Sequence, residues 1–486
     1  MIYKLRPYQE ECVKSISDYI NSDRHDPVLI VGPVGCGKSL LIAEAARLMG
    51  DKTLILQPSK ELLQQNHDKI TSYGIPATIY SASCGKKELS NMIYATLGSI
   101  KKVVDKLKEM GIRNVLIDEA HAGYSPEDGS EFMTFMNELK PKKVIGFTAT
   151  PCRLKNMSIG QTSYSQLNFI TRMRPVYFKN LIHVIQVEEM IRQGFWTPLK
   201  YETWDFNGDA LKLNSNGSEY TAESISEAVR KNGLNNLILR RLMVLKDVCR
   251  SILVFMDSVE SCNTAAEWMN AKICAGMAEV VHGGTPKKQR EAIVERFKSG
   301  GTRVVFNYSA LGTGFDHPGL DCVIVGRPTF SFSSFYQWLG RAVRIKDGKD
   351  SALVVDCCNN SSRFGDIRKL SIENYKGYGW GMFIGDRLIT NIPMGDKVTK
   401  TDLDIKAAKK DRRRGLAQGI TASPVPGRPD HPLGSTLMTF GKYCGWMLHS
   451  IPVSYFKFIN ETFDWDNDRN KDIKEYIDFL IKNNRL

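Results

Sequence analysis

The run Gly32-Pro33-Val34-Gly35-Cys36-Gly37-Lys38-Ser39 carries residue types and a spacing suited to gripping phosphate. It fits G-x-x-x-x-G-K-[ST]. The apolar run Val28–Val31 precedes it, and a helical pattern, Leu40 to Leu48, follows. Glycines let the backbone curl so that its N–H groups face phosphate oxygens, and a helix start adds positive potential. Lys38 would reach the β- and γ-phosphates of a nucleoside triphosphate, and Ser39 would hold Mg2+. A second group, Asp118-Glu119-Ala120-His121, ends the apolar run Val115–Ile117. Acidic residues at the carboxyl end of a parallel strand lie in the crevice beside such a loop. Phosphoryl transfer needs a carboxylate for Mg2+, which Asp118 suits, and a group that positions the attacking water, which Glu119 suits.

Positioning these groups requires buried strands that alternate with helices. Val28–Val31, Thr53–Leu56, Val115–Asp118 and Val144–Phe147 read as one set of parallel strands. Ile252–Phe255, Glu279–Val281, Arg303–Phe306, Cys322–Val325 and Leu353–Asp356 read as a second. The alternation runs to about residue 395 and predicts right-handed βαβ units in doubly wound sheets. A polar stretch, Asp205 to Glu223, separates the sets. The expected organisation is lobe 1 over 1–200, a hinge over 201–235, lobe 2 over 236–395, a basic, Pro-rich linker over 396–430 and a small module over 431–486. The second lobe lacks the phosphate loop, so it is not a duplicate nucleotide site.

Composition narrows the classes. The chain has 486 residues, 42% hydrophobic, enough for two or three buried cores. A net charge of +13 suggests a polyanionic partner, with nucleic acid favoured over membrane. No signal pattern or bilayer-spanning run is visible, so a cytoplasmic protein is expected. Eleven scattered cysteines without a C-x-x-C pair argue for reduced thiols and against structural zinc.

Further segments fall in a recognisable order over about residues 5 to 344. They are Leu5-Arg6-Pro7-Tyr8-Gln9, Pro58-Ser59-Lys60-Glu61-Leu62, Ala95-Thr96-Leu97-Gly98-Ser99 and Phe147-Thr148-Ala149-Thr150-Pro151. Then come Leu311-Gly312-Thr313-Gly314-Phe315-Asp316 and Gln337-Trp338-Leu339-Gly340-Arg341-Ala342-Val343-Arg344. With the loop and the D-E-A-H group, the chain resembles superfamily 2 helicases. The likeness is to the DEAH-containing, double-stranded-DNA-acting kind of phages, restriction translocases and repair helicases. The resemblance implies two tandem RecA-like doubly wound parallel sheets plus a small C-terminal α/β or α module. It implies that Gln9 reads the adenine edge with Arg6 or Tyr3 against the ring, and that Gly314 and Asp316 border the nucleotide. His121, Thr148 and Thr150 would couple the nucleotide site to the nucleic-acid groove, which Ser59, Lys60 and Thr96 would line. Arg344, delivered from lobe 2, would be the arginine finger, with Arg341 also reaching phosphate and Gln337 orienting them or the water. Thr313 stands where such helicases often carry an acidic residue, and Ser59 where Thr is frequent.

The tail differs in character. Lys397 to Arg414 is dense in Lys and Arg, including Arg412, Arg413 and Arg414, which could grip phosphates or form a solvated face. Thr439-Phe440-Gly441-Lys442-Tyr443-Cys444-Gly445 resembles the P-F-G-K-Y-x-G start of a small module attached to phage and bacterial DNA enzymes. Lys442, Tyr443 and Trp446 would stack on or grip nucleic acid, unless the aromatics form a mini-core. The expectation is an ATP- and Mg2+-dependent DNA helicase acting on forked or branched DNA. It would be a monomer, with replication or recombination proteins as possible partners. A duplex translocase of restriction type and an ATP-gated binding scaffold with little turnover are the alternatives.

Overall fold

Four-residue strands of Val, Leu and Ile, buried on both faces, build the centre of the protein. Such runs suit parallel sheets that carry helices on both sides. The computed structural model describes residues 4–50, 52–159, 162–312, 315–407, 432–439, 443–451, 453–462, 465 and 470–483. Tyr3, Gly314, Arg412, Arg413, Arg414 and Lys442 lie outside the described residues.

The first sheet takes β1 (Val28–Val31), β2 (Thr53–Leu56), β3 (Thr78–Ser81), β4 (Lys86–Lys87), β5 (Met92–Ala95), β6 (Asn114–Ile117), β7 (Lys143–Thr148) and β10 (Asn180–Val184). Their order is β10-β1-β7-β6-β2-β5-β3-β4, parallel except for β4. Between β7 and β10, β8 (Cys152–Ile159) and β9 (Thr162–Phe169) form an antiparallel hairpin of their own. The second sheet takes β11 (Leu199–Thr203), β12 (Ile252–Phe255), β13 (Ala278–His282), β14 (Val304–Tyr308), β15 (Cys322–Val325) and β16 (Ala352–Asp356). Its order is β11-β16-β15-β12-β14-β13, all parallel. These are two tandem RecA-like domains. A buried apolar core running through both sheets includes Ile30, Phe147, Phe335 and Val354.

Two expectations of organisation change. The stretch 201–235 contains most of β11, an edge strand of the second sheet, and the helix Ala222–Lys231. Asn, Gly and Ser there form turns between these elements rather than a free hinge. The βα alternation also stops earlier than residue 395. β17 (Leu370–Tyr375), β18 (Gly379–Ile384), β19 (Arg387–Leu388) and β20 (Val398–Thr399) make an antiparallel sheet. Leu370 and Ile372 are buried while Ser371 and Glu373 are not, a period-2 pattern.

Residues 1–400 form one compact unit and 401–486 another. Among the described residues the second is helical, with Val453–Thr462 and Lys471–Lys482 enclosing Phe456, Ile459, Ile473, Tyr476 and Ile477. No described helix is long and apolar enough to cross a membrane.

Candidate nucleotide site between the two lobes

The carboxyl ends of β1, β2, β5 and β6 share one edge of the first sheet, because these strands run parallel. The phosphate loop follows β1 at that edge. Gly35 and Gly37 adopt φ of 88° and 83°, the left-handed region where a Cβ is strained. Gly37 opens the helix Lys38–Met49, and a Cβ there would fall 2.6 Å from Gln9 Nε2. Asp118 and Glu119 follow β6 directly. Glu119 has φ 46°, a turn that swings its carboxylate toward the loop.

From the other side come Gln337, on the helix Phe332–Leu339, and the turn that carries Arg341 and Arg344. Gly340 meets Val34 of the loop so closely that an added Cβ would lie 2.5 Å from Val34 Cγ2. Trp196 Nε1 donates to the Val34 carbonyl at 2.7 Å, and Thr197 bonds the Val343 and Arg344 carbonyls. The result is a cavity of about 530 Å3 between the sheets. Arg6, Gln9, Pro33, Val34, Gly35, Gly37, Lys38, Ser39, Asp118, Glu119, Asp316, Gln337, Arg341 and Arg344 all line it. Gly32 and Cys36 do not. Cys36 is fully buried, with its thiol packed behind Gly32.

Charges in this cavity are tightly arranged. Lys38 Nζ donates to Glu119 Oε1 at 2.5 Å. Burial disfavours the Lys38 ammonium, but Glu119 and Asp118 outweigh it and hold its pKa above the ordinary value. Burial likewise pushes Glu119 up, yet the Lys38 charge holds it below the usual carboxylate range. Asp118 moves up, through burial and then the Glu119 charge. Asn66 Nδ2 steadies Asp118 Oδ2 at 2.9 Å. Glu119 Oε2 is buried and accepts no hydrogen bond among the described residues. Left-handed loop glycines, a lysine, a hydroxyl, two carboxylates and an unspent carboxylate oxygen fit a magnesium nucleotide polyphosphate.

Two of the expected site residues also bond within the protein. Gln9 Nε2 donates to the Cys36 carbonyl and its Oε1 accepts from the Arg6 N–H, both at 2.9 Å. Its amide therefore braces the loop and still has a second N–H and a second oxygen lone pair to offer an adenine edge. Arg6 lies over the Phe195 ring, 4.7 Å from its centroid. Arg341 donates to the carbonyls of Gln337, Gly312 and Phe315. Burial, then Arg344, lowers its pKa to about 10. These bonds tie it to Gly312 and Phe315 while it lines the cavity. Arg344 is more available: its Nε lies 3.1 Å from Asp316 Oδ1.

The expected coupling residues meet. His121 Nδ1 lies 2.8 Å from Thr148 Oγ1, and Thr150 Oγ1 lies 3.1 Å from Ser333 Oγ. The expected strand contacts sit at the same sheet edge. Ser59 caps the helix Lys60–Thr71 by accepting from the Leu62 N–H, Lys60 is exposed, and Thr96 bonds Ser81 and Ser99. In the C-terminal unit Tyr443 and Trp446 pack edge-on at 5.4 Å, half-buried against its core.

Residues 2–153 match the family described as the res subunit of type III restriction enzymes, and residues 235–346 match the helicase conserved C-terminal domain. The chain belongs to the superfamily 2 helicase family. Relatives include a 51.5 kDa protein of a Lactococcus phage, 25% identical over 332 residues, covering 68% of this chain and 65% of that protein. Another is a Saccharomyces cerevisiae protein provisionally named ATP-dependent helicase IRC3, 24% identical over 279 residues. That match covers 57% of this chain and 38% of the yeast protein, so the superfamily 2 chain spans under two thirds of either relative's length. A DNA-bound Type ISP restriction-modification enzyme, LlaBIII, shares the fold with a TM-score of 0.53 at 14% identity. It covers 87% of this chain and 31% of that enzyme.

Sequence reasoning missed Asn66, Trp196 and Ser333 in this helicase-family site. Asn66 had a signal: it is a polar residue between Leu63 and Ile70 on a buried helical face. His121 offers a direct check. Burial lowers its pKa to about 4, against opposition from Glu119. As pH falls from about 6.5, the unfolded chain takes up a proton that the folded one refuses, so stability drops with falling pH. The term amounts to about 2 kcal/mol between pH 7 and pH 5. Denaturation midpoints at both pH values are expected to differ less for His121→Gln than for the unaltered chain. Equal differences would contradict a buried neutral imidazole.

Proposed function

We propose that the chain is a DEAH-type, ATP- and Mg2+-dependent DNA helicase that couples hydrolysis to strand movement and to unwinding or remodelling of forked or branched DNA. The observation that carries this reading is the composite cavity. Phosphate loop and carboxylates come from one sheet, and Arg344 comes from the other. When bound, MgATP supplies the phosphoryl group and its charge. Lys38 and the loop N–H groups hold the phosphates, with Ser39 and Asp118 at the metal. Lys38 would exchange its bond to Glu119 for a phosphate oxygen, leaving Glu119 to hold the attacking water. Arg344 neutralises charge on the transferring group. Ser59, Lys60 and Thr96 hold the strand backbone without reading sequence. The basic run and C-terminal unit add phosphate contacts and a grip on branched substrates. The chain acts as a monomer in the cytoplasm, alongside replication or recombination proteins.

The likeness of residues 2–153 to restriction-enzyme res subunits favours a second reading, a duplex translocase that moves without separating strands. Strand displacement on forked, three-way, four-way and blunt DNA, run beside displacement of a third strand from a triplex, distinguishes them. Unwinding of forked or branched DNA is expected. Triplex displacement without any unwinding would establish the translocase instead.

A further inference from the structure

Ser333 belongs to the second lobe, two residues into the helix Phe332–Leu339 whose N-terminus Ser331 caps. Its hydroxyl nevertheless sits in a chain of polar contacts rooted in the first lobe. Ser333 Oγ lies 3.1 Å from His121 Nε2 and 3.1 Å from Thr150 Oγ1. His121 Nδ1 lies 2.8 Å from Thr148 Oγ1 and 3.4 Å from Glu119 Oε2. Thr148 Oγ1 also accepts from the Thr150 N–H at 3.0 Å.

One direction of hydrogen bonding suits the charges. The Glu119 carboxylate oxygen beside Nδ1 accepts no hydrogen bond among the described residues, so it favours an N–H edge there over a lone pair. Nδ1–H then donates to Thr148 Oγ1 with its positive edge toward Glu119. Nε2 is left as an acceptor, which needs a donor. Ser333 O–H is the donor within reach, and Thr150 O–H donates in turn to Ser333. Which imidazole nitrogen carries the proton is set by what the other one bonds.

We propose that Ser333 is a positioning residue: its hydroxyl, carried in by lobe 2, holds His121 in the Nδ1–H tautomer, and that edge orients the Glu119 carboxylate toward the attacking water. Gln337 lies one turn further along the same helix, and Arg341 and Arg344 follow it. Closing the lobes therefore brings the finger and the tautomer lock into place together. Withdrawing lobe 2 leaves Nε2 without its donor, and the proton is free to move to Nε2 while Thr148 O–H turns to Nδ1. This inference rests on the proposed ATPase reading of the same site.

The test uses the full chain with 15N-labelled histidine, DNA and a non-hydrolysable ATP analogue, with His121→Gln locating the His121 signals. The unaltered chain is expected to show the Nδ1–H tautomer, and Ser333→Ala to populate Nε2–H. Steady-state turnover of ATP on DNA is expected to fall about tenfold in Ser333→Ala, with KM for ATP unchanged, as for loss of an outer group that orients a catalytic one. Ser333→Thr, which keeps the hydroxyl, is expected to restore both readings. An Nε2–H tautomer in the unaltered chain, or an unchanged tautomer and kcat in a folded Ser333→Ala, would overturn the proposal. Absence of DNA-stimulated hydrolysis in the unaltered chain would overturn the ATPase reading itself, a result separate from these.

Discussion

Replacing Arg344 by alanine is expected to lower ATP turnover by about 10³-fold or more, the scale of removing an arginine finger. DNA affinity without nucleotide is expected to change little. The expectation comes from contrast within one turn. Arg341 is spent on three backbone carbonyls, so its removal loosens the packing around Gly312, Phe315 and Gln337. Arg344 pairs with a half-exposed aspartate, and its guanidinium lies beside Gly35 of the phosphate loop. A cation beside the phosphate loop suits stabilisation of charge that develops during transfer. Steady-state turnover of Arg344→Ala beside Arg344→Lys checks the claim. A point charge on a flexible stem lacks the planar fork, so Lys is expected to rescue poorly. A loss below tenfold in Arg344→Ala would show that the second lobe does not complete the site.

Lys38→Ala is expected to reduce turnover to below about 1%, since removing one preorganised donor from a transferring group costs roughly 10²–10³ in rate. The structure adds a second consequence. Lys38 and Glu119 are paired in a largely buried site, with side-chain exposures of 16% and 14%. Removing the lysine leaves Glu119 beside Asp118 without its counter-charge, which costs about 3 kcal/mol for a buried pair. Adding Glu119→Gln to Lys38→Ala is expected to recover most of that stability and none of the activity. Chemical denaturation and ATP turnover on the two single variants and the double one measure both effects. Recovery of hydrolysis in the double variant would remove both residues from the chemistry.

Much of this site was legible because its motifs are contiguous. The phosphate loop, the D-E-A-H group and the terminal arginines each occupy a few consecutive residues at strand or helix ends, where pattern and position coincide. The strands β1, β2, β12 and β15 were bounded by their apolar runs alone. Edge strands were harder. β10 and β11 are polar at several positions because one side of each is unpaired, and β11 was taken into the hinge. The hairpin β8–β9 and the antiparallel sheet β17–β20 interrupt the βα rhythm with strands that mix polar and apolar residues and lack the continuous apolar run of a buried parallel strand. Ser333 carried no signal at all. A serine in the first turn of a helix is common for capping reasons, and its neighbour Ser331 performs that task. Only the packing of helix Phe332–Leu339 against His121 and Thr150 gives Ser333 another partner. Trp196 was equally hidden, since its value lies in one ring N–H that meets the Val34 carbonyl.

The central claim is that the cavity between the two lobes hydrolyses ATP in a manner governed by DNA. Steady-state ATP hydrolysis by the full chain, measured with Mg2+ in the presence and absence of forked DNA, tests it most directly. Hydrolysis is expected to rise at least about tenfold with DNA and to vanish in Lys38→Ala. A rate that is the same with and without DNA, or that survives in a folded Lys38→Ala, would contradict the account.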